Sequence, residues 1–584
     1  MKPLISILQD TVSSAIAKAF GKETDVVAEI ISCSQENFGH YQCNNPLKLA
    51  KTLKKSPREV AEAISRYIPL ETDKAKPFLL KKEIAGPGFI NLTFAPEYLS
   101  EELQKVLVEK RLGVPLPAQP KRTIVEFSSP NIAKELHVGH LRSTIIGECL
   151  ARIFEFLGHD VLRLNHIGDW GTQFGMLITY MKEYQPDALY SDTQADLSSL
   201  MHWYRESKKK FDQDEAFKKR AHQEVIRLQA REEETLHAWE RICAISRLAF
   251  QEIYDLLDVT IIERGESFYN PFLKDLIQDL EKKKLITISD GAKCIFLEGF
   301  VNREGEPLPL MVQKSDGGFN YDTPDLAAVR HRILVEKAER IIVVTDLGQS
   351  LHFQMVFKAA EMAGYYDPQK VELNHVGFGL VLGPDGKKFK TRSGETEKLV
   401  DLLHEAVIQA RAIIQEKIPD INETDREYLA KNIGIAAVKY ADLSSSRQKD
   451  YVFSYERMLK FEGNTAVFLL YSYVRIMGIK RKVNANIDAV VQHNKIDLRH
   501  PSEISLGFHL LRFHEILEAV AKDLYPNRLT DYLYELASKF NAFFRDCRVE
   551  GSPEEKSRLL LCEAAGRILK QGLYLLGIQT VERM

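Results

Sequence analysis

Cysteine is scarce in this chain and never closely paired, tryptophan is scarcer, and no apolar run is long. Seven cysteines in 584 residues lie scattered from Cys33 to Cys562, with no CxxC spacing anywhere. That excludes a disulfide framework and a zinc knuckle, and it fits a chain kept reduced in the cytosol, so a cytoplasmic location is expected. No apolar stretch approaches the ~20 residues of a membrane-spanning helix, so no membrane partner is expected. Met1–Ser6 runs straight into mixed polar sequence with Asp10, unlike the apolar core of a leader peptide. An excess of one charge is also lacking: 79 Lys and Arg against 82 Asp and Glu leave a formal −3. A nucleic-acid role therefore does not follow from bulk charge, and any basic surface has to be local. Internal repeats and low-complexity segments are absent too.

Hydrophobic residues at 45% and charged ones at 28% fit a globular protein rather than a disordered one. The length asks for three or four domains. Leu4, Leu8, Val12, Ile16 and Ala19 recur at helical spacing, and Pro57 opens a second helix. Residues 89–94 alternate as a strand with Phe89, Asn91 and Thr93 on one face. These mark an α+β domain over 1–113. Pro115, Pro117 and Pro120 then make an extended linker. From Lys121 the pattern becomes strand (123–127), helix (141–157), strand (161–164), a βαβ unit and hence a parallel sheet. This second domain runs over 114–400. A helical insertion at about 185–290 carries the charge runs Lys208–Lys210 and Arg231–Glu234, which read as solvated helix faces. The β-branched run 340–345 returns to the sheet, and 401–584 is helical almost throughout.

The most informative stretch is Glu126 to His140, where a strand gives way to a polar, proline-bent loop and then a helix. Two histidines, His137 and His140, bracket Gly139 at the helix start. Helix-start N–H groups favour an anion, Gly139 admits a base or phosphate close to the backbone, and imidazoles can donate to phosphate oxygens. Four residues of the form HxGH also fit an ordinary strand-to-helix turn. Further on, Gly383–Gly394 places a glycine-rich hinge before Lys387, Lys388 and Lys390. Such a segment can bring cations to a pyrophosphate, or it can be a solvated basic loop. Lys390 is the first choice and Lys388 the second, with Lys134 as a further positive charge.

His137-Val138-Gly139-His140 resembles the HIGH signature of the class I aminoacyl-tRNA synthetases, and 382–394 resembles a degenerate form of their KMSKS loop. The resemblance narrows to the arginyl-tRNA synthetase family on five motifs in order. They are residues 126–140, 165–175, 321–325, 345–352 and 389–394. It implies an α/β Rossmann-type catalytic domain, an N-terminal α+β domain contacting the tRNA D-loop, and a C-terminal all-α bundle binding the anticodon. The implied reaction activates L-arginine with ATP and Mg²⁺, then transfers it to tRNA(Arg), with activation dependent on tRNA. His137, Gly139, His140, Gly168, Asp169 and Lys390 would serve ATP, with no metal bound by the protein itself. A monomer is expected. A non-catalytic tRNA-binding paralogue is the alternative.

Arginine's planar guanidinium has five N–H donors and needs planar acceptors. Glu126 and Asp325 are the available carboxylates, with Tyr321 as a third polar wall. Read alone, Asp325 also suits a helix cap and Tyr321 an ordinary core tyrosine, whereas a charge in a buried strand, as at Glu126, needs a partner. By the resemblance, Asn131 and Gln349 hold the α-amino end and His166 lies near the substrates. Phe89 and Asn91 are expected at the D-loop, Tyr473 and Arg475 at the anticodon, where aromatics stack on splayed bases.

Overall fold

The computed structural model describes residues 1–584 apart from 22–25, 34, 191–194, 384, 388 and 390–397. The chain divides into two compact units: residues 1–117 together with 459–584, and residues 118–458.

The first unit begins with α1 (Leu4–Phe20), which buries Leu4, Leu8, Val12, Ala15 and Ile16, the stripe the spacing predicts without Ala19. Strands β1 (Ile30–Ser32) and β2 (Tyr41–Cys43) precede helices α2 (Asn45–Leu53) and α3 (Pro57–Tyr67). A Ser56/Glu59 capping box and Pro57 in the first turn start α3. Then come β3 (Leu79–Ala85), β4 (Phe89–Phe94) and α4 (Pro96–Val108), and the strands form an antiparallel sheet in the order β1-β2-β4-β3.

The second unit holds a parallel sheet. β5 (Arg122–Glu126), α5 (Val138–Phe156) and β6 (Asp160–Asn165) form the expected βαβ unit. Helix α6 (Thr172–Tyr184) follows, and the insertion then opens with α7 (Pro186–Tyr190), α8 (Leu197–Gln213), α9 (Glu215–Gln229) and α10 (Glu233–Leu256). Its lysine run is solvated and locally paired, Lys208 with Asp212 at 2.9 Å and Lys209 with Glu206 at 2.6 Å. The chain returns through β7 (Ile262–Glu263) and α11 (Glu266–Lys282). An antiparallel sheet absent from the sequence reading follows, β8 (Thr287–Ser289), β9 (Ala292–Val301) and β10 (Pro307–Gln313). Next come α12 (Asp322–Leu334), β11 (Arg340–Asp346), α13 (Ser350–Met362) and β12 (Glu372–Phe378), then the short β13 (Val381–Leu382).

The parallel order is β12-β11-β5-β6-β7. The first strand, β5, thus has β11 on one side and β6 on the other, the Rossmann-type switch point at which ligands bind beyond the strand carboxyl ends. Glu126, the last residue of β5, pairs with Val343 of β11 and Leu164 of β6. Helices α14 (Leu399–Lys417) and α15 (Glu423–Leu443), strand β14 (Tyr451–Val452) and α16 (Tyr455–Met458) belong to this same unit. The sequence reading assigns 401–458 to the C-terminal bundle. The packing differs because α15 lies on α5 and β14 pairs with β13.

The rest of the first unit is the bundle α17 (Ala466–Val483), α18 (Ile487–His493), α19 (Pro501–Leu511), α20 (Phe513–Asp523), α21 (Asn527–Asp546) and α22 (Glu555–Leu575). It packs on the N-terminal module. The His40 ring stacks on Phe508 at 4.1 Å, and the Tyr41 hydroxyl donates to Glu515 at 2.6 Å.

Candidate active site

The loop after β5 is held in a conformation that L-residues avoid. Ser128, Ser129 and Ala133 have φ of 70°, 49° and 61°. Each has its N–H fixed by a side chain from elsewhere: Ser128 by Ser143 Oγ at 2.9 Å, Ser129 by Asn165 Oδ1 at 2.9 Å, Ala133 by Ser246 Oγ at 3.1 Å. Backbone strain of this kind persists only where the surroundings over-determine it, and it concentrates at functional sites. Asn131 stays exposed and its backbone pairs with that of Gly168. A Cβ on Gly168 would stand 2.0 Å from Asn131 Oδ1, so only glycine lets the amide lie there. The structure thus ties Gly168, which the resemblance places at ATP, to the seating of Asn131 as well.

His137 caps α5, its Nδ1 accepting from Gly139 N at 3.0 Å, and His140 Nδ1 accepts from His137 N at 3.1 Å. In a neutral imidazole whose Nδ1 accepts, the proton sits on Nε2, so both rings carry their donor there. Burial, with His137 and Lys134 adding repulsion, pushes His140 down to about 3. It is a neutral hydrogen-bond donor at physiological pH, not a cation. The rings lie 4.1 Å apart. Lys134 is exposed on the same loop. Lys388 and Lys390 lie outside the described residues.

Beyond the ends of β5 and β6 stands a chain of charged groups. Glu126 is buried and accepts from Arg332 of α12, whose Nη2 lies 3.4 Å from His166 Nδ1. The sequence reading gave Glu126 to the substrate guanidinium; in the structure its charge meets a guanidinium from the protein's own chain, 206 residues away. His166 stacks on Tyr269 at 5.3 Å, with its Nε2 3.9 Å from Asp325 Oδ1. Asp325 does not cap its helix. Its other oxygen meets His352 Nε2 at 2.7 Å, and His352 Nδ1 lies 3.1 Å from Asp322. Burial opposes charge on His352, but hydrogen bonds to Asp322 and Asp325 outweigh it and push the imidazole up to about 9. Tyr321 is no core residue: it is 58% exposed, its ring 5.1 Å from that of His352. Gln349 is exposed in the turn just before α13, the helix that carries His352.

Asp169, expected at the nucleotide, is buried and engaged with the start of α11. Its carboxylate accepts from Ser267 N at 2.8 Å and Ser267 Oγ at 2.5 Å, capping α11 from outside the helix. That cap fixes Glu266, a residue the sequence reading missed, near Asp325. Burial, then repulsion from Asp325 and Asp169, pushes the Glu266 carboxyl up to about 8. Nothing local in the sequence marks Glu266. His352 sits in the motif 345–352 and could have been found there.

In the first unit, Asn91 is buried and accepts from Gln42 at 2.8 Å, while Phe89 is half-buried. Tyr473 is buried with its hydroxyl 3.4 Å from Glu582. Arg475 hydrogen-bonds Asn541 at 2.6 Å and lies between the exposed rings of Tyr471 and Phe544, at 5.0 and 5.3 Å.

Family models match nearly end to end: an arginyl tRNA synthetase N-terminal domain over residues 6–94, the class I (R) tRNA synthetase catalytic domain over 102–455, and a DALR anticodon binding domain over 469–584. The chain belongs to the arginyl-tRNA synthetase family. It is 60% identical over 588 residues to an arginine–tRNA ligase of Protochlamydia amoebophila, covering 100% of both chains. It is 53% identical to that of Chlamydia pneumoniae, again over 100% of both. Among solved structures, the arginyl-tRNA synthetase of Plasmodium falciparum superposes with a TM-score of 0.89 at 33% identity, and that of Thermus thermophilus with 0.79 at 26%, each over the full length of both chains. Members of this class I family use ATP, and the DALR domain supports tRNA binding. The full-length match, catalytic domain included, favours an enzyme over a non-catalytic paralogue. No described helix is long and apolar enough to cross a membrane.

Proposed function

We propose that this chain ligates L-arginine to tRNA(Arg) in two steps, with the residues above in defined roles. Arginine's carboxylate attacks the α-phosphate of MgATP, giving arginyl-adenylate and pyrophosphate, and a terminal ribose hydroxyl of the tRNA then takes the arginyl group. His137 and His140 donate through Nε2 to phosphate oxygens as charge develops, with Gly139 allowing close approach. Lys134, Lys390 and Lys388 supply positive charge at the pyrophosphate. Asp325 and Glu266 receive the guanidinium, walled by Tyr321 and His166, while Asn131 and Gln349 hold the amino end. Glu126 acts through Arg332 and Asp169 through α11, each as a positioning residue. The observation that carries this reading is the acidic pair Asp325/Glu266 gathered beyond the carboxyl ends of the strands, of which β5 leads into the imidazoles of His137 and His140.

In the first unit, we assign the anticodon stack to Tyr471, Arg475 and Phe544, whose two exposed rings suit unstacked bases, with buried Tyr473 in a supporting role. Phe89 serves the D-loop together with Gln42, which buried Asn91 holds in place. The enzyme works as a monomer in the cytosol, where its free cysteines stay reduced.

ATP–pyrophosphate exchange with each amino acid, with and without tRNA, tests the whole proposal. Exchange should require arginine and tRNA together; exchange driven by another amino acid would refute it. A pH profile tests the pocket. With no arginine bound, Glu266 holds its proton below about 8. A bound cation favours the ionised form, so binding below that pH has to expel a proton. Arginine KM should therefore fall as pH rises towards 8 and then level off. Glu266→Gln should flatten this profile; an unaltered profile removes Glu266 from the pocket.

A further inference from the structure

Two residues after His140, on the same helix, Arg142 is wholly buried. Its Nη1 donates to Gly379 O at 2.7 Å and lies 3.2 Å from Lys449 O, and its Nε stands 3.1 Å from a carboxylate oxygen of buried Asp442 on α15. The guanidinium also lies over the Tyr451 ring at 5.2 Å. Gly379 and Lys449 each come two residues before a strand of the β13–β14 pair, in which Val381 pairs with Tyr451 and Leu382 with Val452. β13 is the strand from which the chain passes into the glycine–lysine segment 383–394.

We propose that Arg142 is a positioning residue for adenylate formation: it fixes the root of the lysine-bearing segment to the helix that carries His140. The proposal rests on the role given above to that segment. A forked, planar donor holds two carbonyls from the segments that lead into separate strands and stands beside a carboxylate at once, whereas a lysine ammonium offers only a point charge. Stability alone does not call for this arrangement, since a buried ion pair is commonly no more stabilising than apolar residues of similar volume. The contact is also too tight to slide. Gly379 N donates to Arg447 O at 2.9 Å, Leu380 N donates to Asp450 Oδ1 at 2.6 Å, and a Cβ on Gly379 would meet Lys449 O at 2.8 Å.

The lysines act on pyrophosphate, so displacing their root should slow adenylate formation and spare both arginine binding and the transfer step. The first variant is R142M/D442L, which removes both charges together. Its urea midpoint should fall only modestly, since no unpaired charge remains although Gly379 O and Lys449 O lose their donor. Its kcat for exchange should fall about 100-fold, the cost of a misplacement of roughly 1 Å. Arginine KM and single-turnover transfer from preformed adenylate should not change. The second variant, Asp450→Ala, alters only the exposed rim of the contact and keeps the buried pair, so it decides the matter if the first does not fold. It should show the same split, with kcat for exchange several-fold lower. Unchanged exchange in the folded variant, or equal losses in exchange, arginine KM and transfer, would overturn the proposal. Lys390→Ala measured alongside tests the segment's role by itself, so failure of that role and failure of the clamp are separate results.

Discussion

His140→Ala should lower the rate of adenylate formation by about 10²–10³-fold, the cost of losing one pre-aimed donor to a developing oxyanion. The tautomer sets this effect. Nδ1 accepts the His137 N–H, which leaves the proton on Nε2, and burial keeps the ring uncharged. A cation at this position is therefore not what the site supplies, and lowering the pH from 8 to 6 should not enhance the step through His140. The imidazole's only described backbone bond is one helix-start contact, so its loss should cost no more than about 1 kcal/mol of stability. Single-turnover adenylation and urea unfolding together check this. A variant adenylating at the parental rate would remove His140 from the reaction.

Asp325→Asn should raise arginine KM strongly while leaving KM for ATP near its parental value. Removing one partner of a buried charged contact costs about 2–5 kcal/mol, or roughly 30- to 5,000-fold. The variant has a second signature. His352 is pushed up to about 9 by Asp322 and Asp325 against the effect of burial, so losing one carboxylate should bring its titration down. NMR titration of His352 reports that shift without any substrate. A lowered His352 pKa with unchanged arginine KM would mean that Asp325 only holds His352 and does not meet the guanidinium.

The sequence made the scaffold readable where the pattern was local. The β5–α5–β6 unit, the β-branched run of β11 and the stripe of α1 all declare themselves by period and composition. The site was readable where motifs are contiguous, as at 126–140 and 321–325. What was hidden depends on pairing across long separations. Arg332 reaches Glu126 from 206 residues away, and no local pattern says that the negative charge in β5 is met from within the chain. Asp169 looked like a ligand-facing carboxylate in a glycine-rich turn, yet it caps a helix that begins about a hundred residues later. Glu266 acquires its character only because that cap sets it among other carboxylates. The small sheet 287–313 was missed because one edge strand, β8, is short and the other, β10, carries Pro307 and Pro309, residues that ordinarily argue against a strand.

The first unit is split in sequence, and that has a consequence on the ribosome. Residues 1–117 leave the exit tunnel with the His40 and Tyr41 rings covered on one side by Phe94, and their partners Phe508 and Glu515 are encoded beyond the whole of the second unit. The intervening 341 residues, 118 to 458, take roughly 17–70 s to make at ~5–20 residues per second. During that interval the nascent N-terminal module presents an aromatic face with nothing to close it. Premature termination anywhere before residue 508 should therefore release a fragment prone to aggregate or to be degraded.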